Sequence, residues 1–259
     1  MIEINKNLKK IIPSSVSEYN IGLNKKLGES GLEIFKWLDK NNKINPTHSY
    51  KDVTYRWSFG ISGAESIQYV LSNLPQDLSE IFMFDIINYL GILDFDVNEI
   101  KFEKIGPNEH LKDIHLKRTR FGDLISTKED NLPSDYEKTI FYSSLWHTDK
   151  FFSLDNYKIL VYLNDVSENQ GGLIISEPII SPKWINNKAV LIDEGISIKS
   201  DEITFREVVG PVGTTTSFNS HVLHRANLPQ NKYRFCMHLS FRLKEQKYTH
   251  HKYSNNHFK

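Results

Sequence analysis

The sequence predicts a mostly β chain of the α+β class, a jelly-roll-like double sheet preceded by N-terminal helices. Two textures predict it. Up to about residue 100, apolar residues recur at helical spacing. Beyond that point, short runs of β-branched and aromatic residues alternate with turn chemistry. About eight such runs fall between residues 138 and 243, the strand number of a two-sheet jelly roll. The 259 residues suit one domain, and no repeat, low-complexity tract or composition break divides them. We read 1–259 as a single domain: a mainly helical part over 1–100, a sheet core over 101–245 and a polar tail over 246–259.

In the helical part, Leu32, Ile34, Phe35 and Leu38 predict a helix from Leu27 to Asn41. Thr54 to Phe59 reads as a short strand. Ile67, Val70 and Leu71 predict a helix over Ala64 to Leu74, and Leu78, Ile81, Phe82 and Ile86 predict another over Asp77 to Leu90. Pro75 between them suits the first position of the second helix, where its missing N–H costs little. The expected strands of the core are Thr139–Leu145, Lys158–Leu163, Gly172–Ser176, Ala189–Asp193, Ile203–Val208, Gly213–Phe218, His221–Ala226 and Tyr233–Leu243. Asn169-Gln170-Gly171-Gly172 supplies positive-φ residues for a tight hairpin between the second and third of these.

Charge and cysteine content exclude several classes. Lys plus Arg and Asp plus Glu are 32 each, so there is no basic surplus of the kind that phosphate neutralisation requires, and no nucleic-acid partner is expected. The one cysteine, Cys236, permits no intramolecular disulfide and reads as a small buried hydrophobe in Phe235-Cys236-Met237. No stretch reaches the roughly 18 apolar residues that span a bilayer, and the N-terminus lacks the pattern of a secretion signal. The expectation is a cytoplasmic protein with a small-molecule substrate and no membrane partner, while oligomeric state cannot be read.

Three residue groups carry chemistry. His147-Thr148-Asp149 follows the first expected strand of the core. His224 comes 77 residues after His147 (224 − 147), and Arg234 ten residues after His224 (234 − 224). His-x-Asp alone is a weak signal. On an extended segment its two side chains leave the same face and can chelate one ion. A histidine from a distant strand completes two histidines and one carboxylate, a set that leaves one side of an iron(II) ion open. His221 competes with His224 for that place, but an odd offset on a strand puts the two on opposite faces. The interval to Arg234 favours His224 over His221. With a hairpin centred on Pro229, positions 224 and 234 stand opposite each other, Cβ atoms about 5 Å apart. A guanidinium there can hold a carboxylate through two parallel hydrogen bonds.

The ordered set Leu145-Trp146-His147-Thr148-Asp149, Val161-Tyr162-Leu163-Asn164-Asp165-Val166, Glu168-Asn169-Gln170-Gly171-Gly172-Leu173, Phe218-Asn219-Ser220, His224-Arg225-Ala226 and Arg234 resembles the iron(II)/2-oxoglutarate-dependent oxygenases, in particular their phytanoyl-CoA dioxygenase-like branch. The resemblance covers roughly residues 140–243 and leaves the first hundred unmatched. It implies a double-stranded β-helix of cupin-like, jelly-roll form. Iron(II) would be held by His147, Asp149 and His224, and the distal carboxylate of the cosubstrate 2-oxoglutarate by Arg234, with dioxygen as the oxidant. Some members place a serine two residues after the distal histidine to help hold the cosubstrate. Here that position is Ala226, so another hydroxyl must substitute, and Thr216, Ser144 and Tyr142 are the candidates. Halogenating relatives carry a small residue where this chain has Asp149, so the resemblance points to hydroxylation, with desaturation and ring formation open.

Three further residues are substrate candidates. Arg118 and Arg120 alternate on an expected strand, where one can face the site and meet an acidic group, or both can form a solvated edge. Phe151 flanks the His-x-Asp pair and either lines the pocket or fills the core. The expected activity is hydroxylation of an unactivated C–H bond in a small polar molecule, amino-acid-like or a natural product. Two other classes fit a jelly roll. One is a non-catalytic metal-binding or sensory module, which has no need of Arg234. The other is a cupin-type metal-dependent isomerase or hydrolase, for which a zinc site would show a richer histidine set.

Overall fold

The computed structural model describes residues 4–14, 18–50, 52–93, 95–107, 156–168, 170–176, 205–219, 222, 224–227 and 229–242. In chain order these form α1 (Lys6–Ile11), β1 (Tyr19–Leu23), α2 (Lys25–Lys40), β2 (Asn45–Tyr50), β3 (Val53–Ser62), α3 (Ser66–Asn73), α4 (Gln76–Ile81), a π-helical segment (Phe82–Asn88) and β4 (Asp96–Ile105). Then follow β5 (Asn156–Tyr162), β6 (Leu173–Ser176), β7 (Phe205–Val208), β8 (Thr214–Asn219), β9 (His224–Ala226) and β10 (Arg234–Arg242). The strands make a seven-stranded sheet in the order β1-β8-β5-β10-β4-β3-β2 and a three-stranded sheet in the order β7-β6-β9, antiparallel throughout.

Alternation along the central strands decides which layer each side chain joins. On β10, Met237, Leu239 and Phe241 join Ile100 and Phe102 of β4 and Ile159 and Val161 of β5 in the larger core, under the helices. The intervening residues Arg234, Cys236, His238 and Ser240 leave the opposite face. That face carries a second, smaller core of Leu160, Tyr162, Phe218 and Cys236 with Leu173, Ile175 and Val208 of the small sheet. The large sheet is therefore buried on both sides, by helices behind and by the small sheet in front.

Helix α2 is the main cover. Asn24 caps it by accepting from the Leu27 N–H at 3.1 Å. Leu27, Ile34, Phe35 and Leu38 are buried along one face, and Phe35 stacks on Phe235 of β10 with ring centroids 4.6 Å apart. The helix start sits on the turn before β8: a Cβ on Gly28 would lie 2.4 Å from Gly213 Cα, and Gly213 itself has φ +88°. Neither position has room for a side chain.

Several expectations shift by physical cause. The helices at 27–41 and 64–74 form as α2 and α3 within a few residues. Pro75 caps α4 at φ −66° and ψ 162° and does not occupy its first turn, and the segment after it continues as a π-helix. The strand expected at Thr54–Phe59 forms within β3, and the stretch 1–100 also supplies β1, β2 and half of β4 to the large sheet; β1 and β2 escape the pattern because they are edge strands with few buried apolar residues. Strands β5 to β10 match six of the eight expected runs, whereas Thr139–Leu145 and Ala189–Asp193 lie outside the described residues. The hairpin expected at 169–172 is a crossover instead: β5 belongs to the large sheet and β6 to the small one. Gly171 takes φ +79° there, and a Cβ on it would meet Pro229 N at 2.5 Å. Among the described residues, no helix is long and apolar enough to cross a membrane.

The Gly28–Gly213 contact generates a prediction. Gly28→Ala should lower the unfolding free energy by about 1–3 kcal/mol, the usual cost of overpacking. Gly22→Ala, at a position with nothing within 4 Å of its Cβ, should change it by less than about 0.5 kcal/mol. Urea denaturation midpoints with unchanged slopes measure both.

Candidate active site

The site begins with how Arg234 is held. Asn164, just after β5, donates to Tyr233 O at 2.8 Å and accepts from Phe235 N at 2.7 Å. One side-chain amide thus clamps the backbone on both sides of Arg234 and sets where β10 starts. The Tyr162 hydroxyl donates to Val208 O and accepts from Leu173 N, both at 2.9 Å, tying the large sheet to the small one. Burial pushes this phenol up to about 12 against the opposing pull of Arg234, so it stays protonated. Arg234 is only 3% exposed, and its Nε and Nη1 have no hydrogen-bond partner among the described residues. Leaving charged donors buried and unpaired is costly, which marks this guanidinium as waiting for an anion.

His224 faces the same space from the small sheet. Its Nδ1 lies 2.9 Å from Val222 O. A carbonyl only accepts, so Nδ1 carries the proton and Nε2 presents its lone pair. This is the outer hydrogen bond that fixes tautomer and ring orientation in metal-binding histidines. Phe218 of β8 packs on the ring, centroids 4.6 Å apart. His224 and Arg234 both line a cavity of about 230 Å³ between the sheets, with Ala226, Leu160 and Leu173 among its walls.

Charged residues of β3, β4, β5 and β10 also line the cavity. β3, β4, β10 and β5 bring Ser58, Glu103, Cys236 and Tyr162 into one row, and Gly60, Lys101, His238 and Leu160 into the next. The guanidinium of Arg56 donates to Glu103 Oε1 from Nε at 3.1 Å and from Nη2 at 2.5 Å. His238 Nε2 lies 2.8 Å from Glu103 Oε2 and 3.3 Å from Cys236 Sγ. The Glu103–His238 contact has the distance of an ion pair without the alignment of a hydrogen bond. Burial alone would lower the His238 pKa, but the facing Glu103 carboxylate and then Cys236 raise it to about 9. Burial likewise opposes ionisation of Glu103, yet Arg56 and His238 hold it well below the ordinary range. Lys101 pairs with Glu99, and Lys101 and then Lys158 lower Glu99 against burial.

The ligand-type atoms of Glu103, Cys236 and His238 lie within 4.8 Å of one another, a candidate metal group by distance. Their chemistry argues for a hydrogen-bonded cluster. Glu103 already accepts from Arg56 and faces His238, His238 is cationic, and an added cation would meet two positive neighbours. His224 Nε2, with its supporting carbonyl, is the better-prepared metal ligand.

Of the site residues expected from sequence, the structure brings His224 and Arg234 to one cavity. Their relation differs from the hairpin expectation. β9 and β10 belong to different sheets, so the two side chains face each other across the interior and are not cross-strand neighbours. Thr216 is buried in register with Leu160, but the cavity wall there is Leu160 and Phe218. His147, Asp149, Ser144, Tyr142, Arg118, Arg120, Phe151 and the rival His221 lie outside the described residues. Sequence reasoning missed Arg56, Lys101, Glu103 and His238. Their signal was a polar residue at every second position of β4 and β10, a pattern that equally describes a solvent face.

Two facing antiparallel sheets in this strand order have the form of a double-stranded β-helix. No protein-family model and no curated protein matches the chain. Among solved structures it is similar to SnoK, a non-heme α-ketoglutarate-dependent carbocyclase from nogalamycin biosynthesis. The TM-score is 0.53 at 10% identity, over 92% of this chain and 84% of that one. At that identity the likeness shows the fold, the double-stranded β-helix expected from the sequence. AviO1 from Streptomyces viridochromogenes Tue57 aligns at a TM-score of 0.47 and 8% identity, over 93% of this chain and 96% of that one. HygX from Streptomyces hygroscopicus, solved with nickel and 2-oxoglutarate bound, aligns at 0.43 and 11%, over 94% and 89%.

Two outcomes test this interior. The His238 pKa is raised from 6.5 to about 9, so the ion pair's contribution to stability is complete below about pH 6.5 and is lost as pH rises through 9. Glu103 is shifted the other way, so its contribution is present above about pH 4.5 and lost as pH falls below its lowered folded value. Stability of the wild-type chain should therefore decline from pH 6.5 to 9, and this decline should be absent in His238→Gln, as read from urea midpoints. Tyr162→Phe should cost about 1–3 kcal/mol by leaving Leu173 N and Val208 O buried without their partner, measured the same way.

Proposed function

We propose that this chain is a mononuclear iron(II)- and 2-oxoglutarate-dependent oxygenase that hydroxylates an unactivated C–H bond of a small polar molecule. The observation that carries the reading is Arg234: a guanidinium buried at one end of the cavity, with unpaired Nε and Nη1. A dicarboxylate cosubstrate meets that need, whereas passive metal binding leaves it unmet. His224, with Nδ1 committed to Val222 O, offers Nε2 to a metal from the opposite sheet. His147 and Asp149 complete the ligand set in the resemblance, and those three residues would hold the iron.

When bound, iron(II), 2-oxoglutarate and dioxygen supply the oxidising power, with succinate and carbon dioxide as the cosubstrate's products. The chain's own part is placement. The Asn164 clamp fixes Arg234, and Arg234 orients the distal carboxylate through charge-assisted bonds. Tyr162 gives its proton to Val208 O and accepts from Leu173 N, so it has no proton to give the cosubstrate. Leu160, Leu173 and Phe218 give the cavity an apolar wall, which strengthens the polar contacts made beside it.

Anaerobic addition of iron(II) and then 2-oxoglutarate to the metal-free chain should produce a saturable visible charge-transfer band that needs both. His224→Ala should abolish it, and His221→Ala should keep it. Arg234→Met should lose the band while raising the thermal midpoint of the ligand-free chain, because an unpaired buried charge is removed. At 100 times its dissociation constant, 2-oxoglutarate should stabilise the wild-type chain by about 2.7 kcal/mol and the Arg234→Met chain not at all. A band that survives in Arg234→Met would overturn the assignment of the cosubstrate site.

A further inference from the structure

The charge on the cavity wall exceeds what the cosubstrate can use. Apart from Arg234, the described wall carries Arg56, Lys101, Lys158 and His238 against Glu99 and Glu103. Both carboxylates are engaged, Glu103 by Arg56 and His238 and Glu99 by Lys101. Arg234 and His238 leave β10 on the same face, four residues and so about 13 Å apart along the strand. Strand β10 runs away from the 227–233 turn, so His238 stands farther from that turn than Arg234 does. Arg234 and His238 thus present cationic groups at two separate positions along β10.

His238 is built to receive one. Its Nε2 edge is fixed by Glu103 and Cys236, and Arg56 holds Glu103 in turn with two donors. Among the described residues its Nδ1 has no partner, and the side chain remains 26% exposed in the cavity. The ring is therefore braced on one edge and open on the other. With its pKa raised to about 9, the open edge is a charged N–H donor at neutral pH. Lys101, ion-paired with Glu99, lies directly opposite it on β4 and places a second cationic side chain in the same row.

We propose that the substrate of this site carries an oxyanion group, received by the open Nδ1–H of His238 with Lys101 beside it. The inference rests on the oxygenase reading and narrows its small polar substrate to an acid. Carboxylates and tetrahedral oxyanions share the chemistry, so the test probes each.

The full chain, labelled with 15N and 13C in histidine, is loaded with zinc(II), which keeps imidazole signals sharp, and with saturating 2-oxoglutarate. It is titrated with sodium sulfate and separately with sodium acetate, against sodium chloride at matched ionic strength. The His238 ring, assigned through its side-chain carbons, should show a saturable Nδ1 shift with at least one probe. Lys101→Met should weaken that response about tenfold, the loss of one charge-assisted contact. Arg234→Met should retain it. A His238 signal that moves no more than with chloride overturns the inference, and so does a response that disappears in Arg234→Met, which would put the anion on the cosubstrate's arginine. The iron(II)–2-oxoglutarate band separates the two readings. Without a band, a surviving His238 response leaves an anion-binding jelly roll and removes the oxygenase. With a band, a silent His238 removes this inference alone.

Discussion

A buried arginine whose Nε and Nη1 find no acceptor among the described residues is the constraint around which this interior is arranged. Arg234 sits at the first residue of β10, where Asn164 holds the backbone on both sides and Tyr162 ties the two sheets together nearby. Burying a guanidinium costs free energy that the ligand-free chain does not recover, so the surrounding structure must hold it there. The clamp and the inter-sheet phenol do this with neutral hydrogen bonds and leave the charge for a ligand.

The remainder of the cavity follows a different electrostatic rule. Arg56, Glu103 and His238 satisfy one another through a chain of contacts that crosses three adjacent strands, β3, β4 and β10. Such a chain is stable only while every member keeps its charge, which links the imidazolium of His238 to a carboxylate held ionised by its neighbours. The donor atoms are close enough to suggest a metal, but their protons and partners are already assigned. The same network gives the barrel a positive lining on the β3–β4 side, while Leu160, Leu173 and Phe218 form apolar wall elsewhere.

Helices and strands met by this sheet differ in how readily their sequences declare them. α2 and α3 announce themselves because their buried faces are apolar at 3.6-residue spacing, and the strands from Lys158 onward do so through β-branched runs between turns. β1 and β2 were hidden because they lie on the sheet margins with few buried apolar residues. β4 was not among the expected strands, although Glu99, Lys101 and Glu103 alternate with apolar neighbours in the pattern of a strand with one wet face. In fact the wet face is the inside of the cavity.

The double-sheet architecture was legible in the strand runs and the family resemblance, and spacing and residue type singled out His224 and Arg234, which the structure brings to one cavity. Their mutual placement was not legible. The ten-residue interval fits a hairpin as well as a crossover, and only the assignment of β9 and β10 to different sheets makes them face each other across a cavity. The partnership of Arg56, Glu103 and His238 is likewise a product of tertiary structure. These residues are 47 and 135 positions apart in the chain (103 − 56 and 238 − 103), and no local pattern encodes which polar side chain a distant strand will bring alongside. Periodicity reports which face of an element a residue occupies, whereas sheet order and register decide what that face meets.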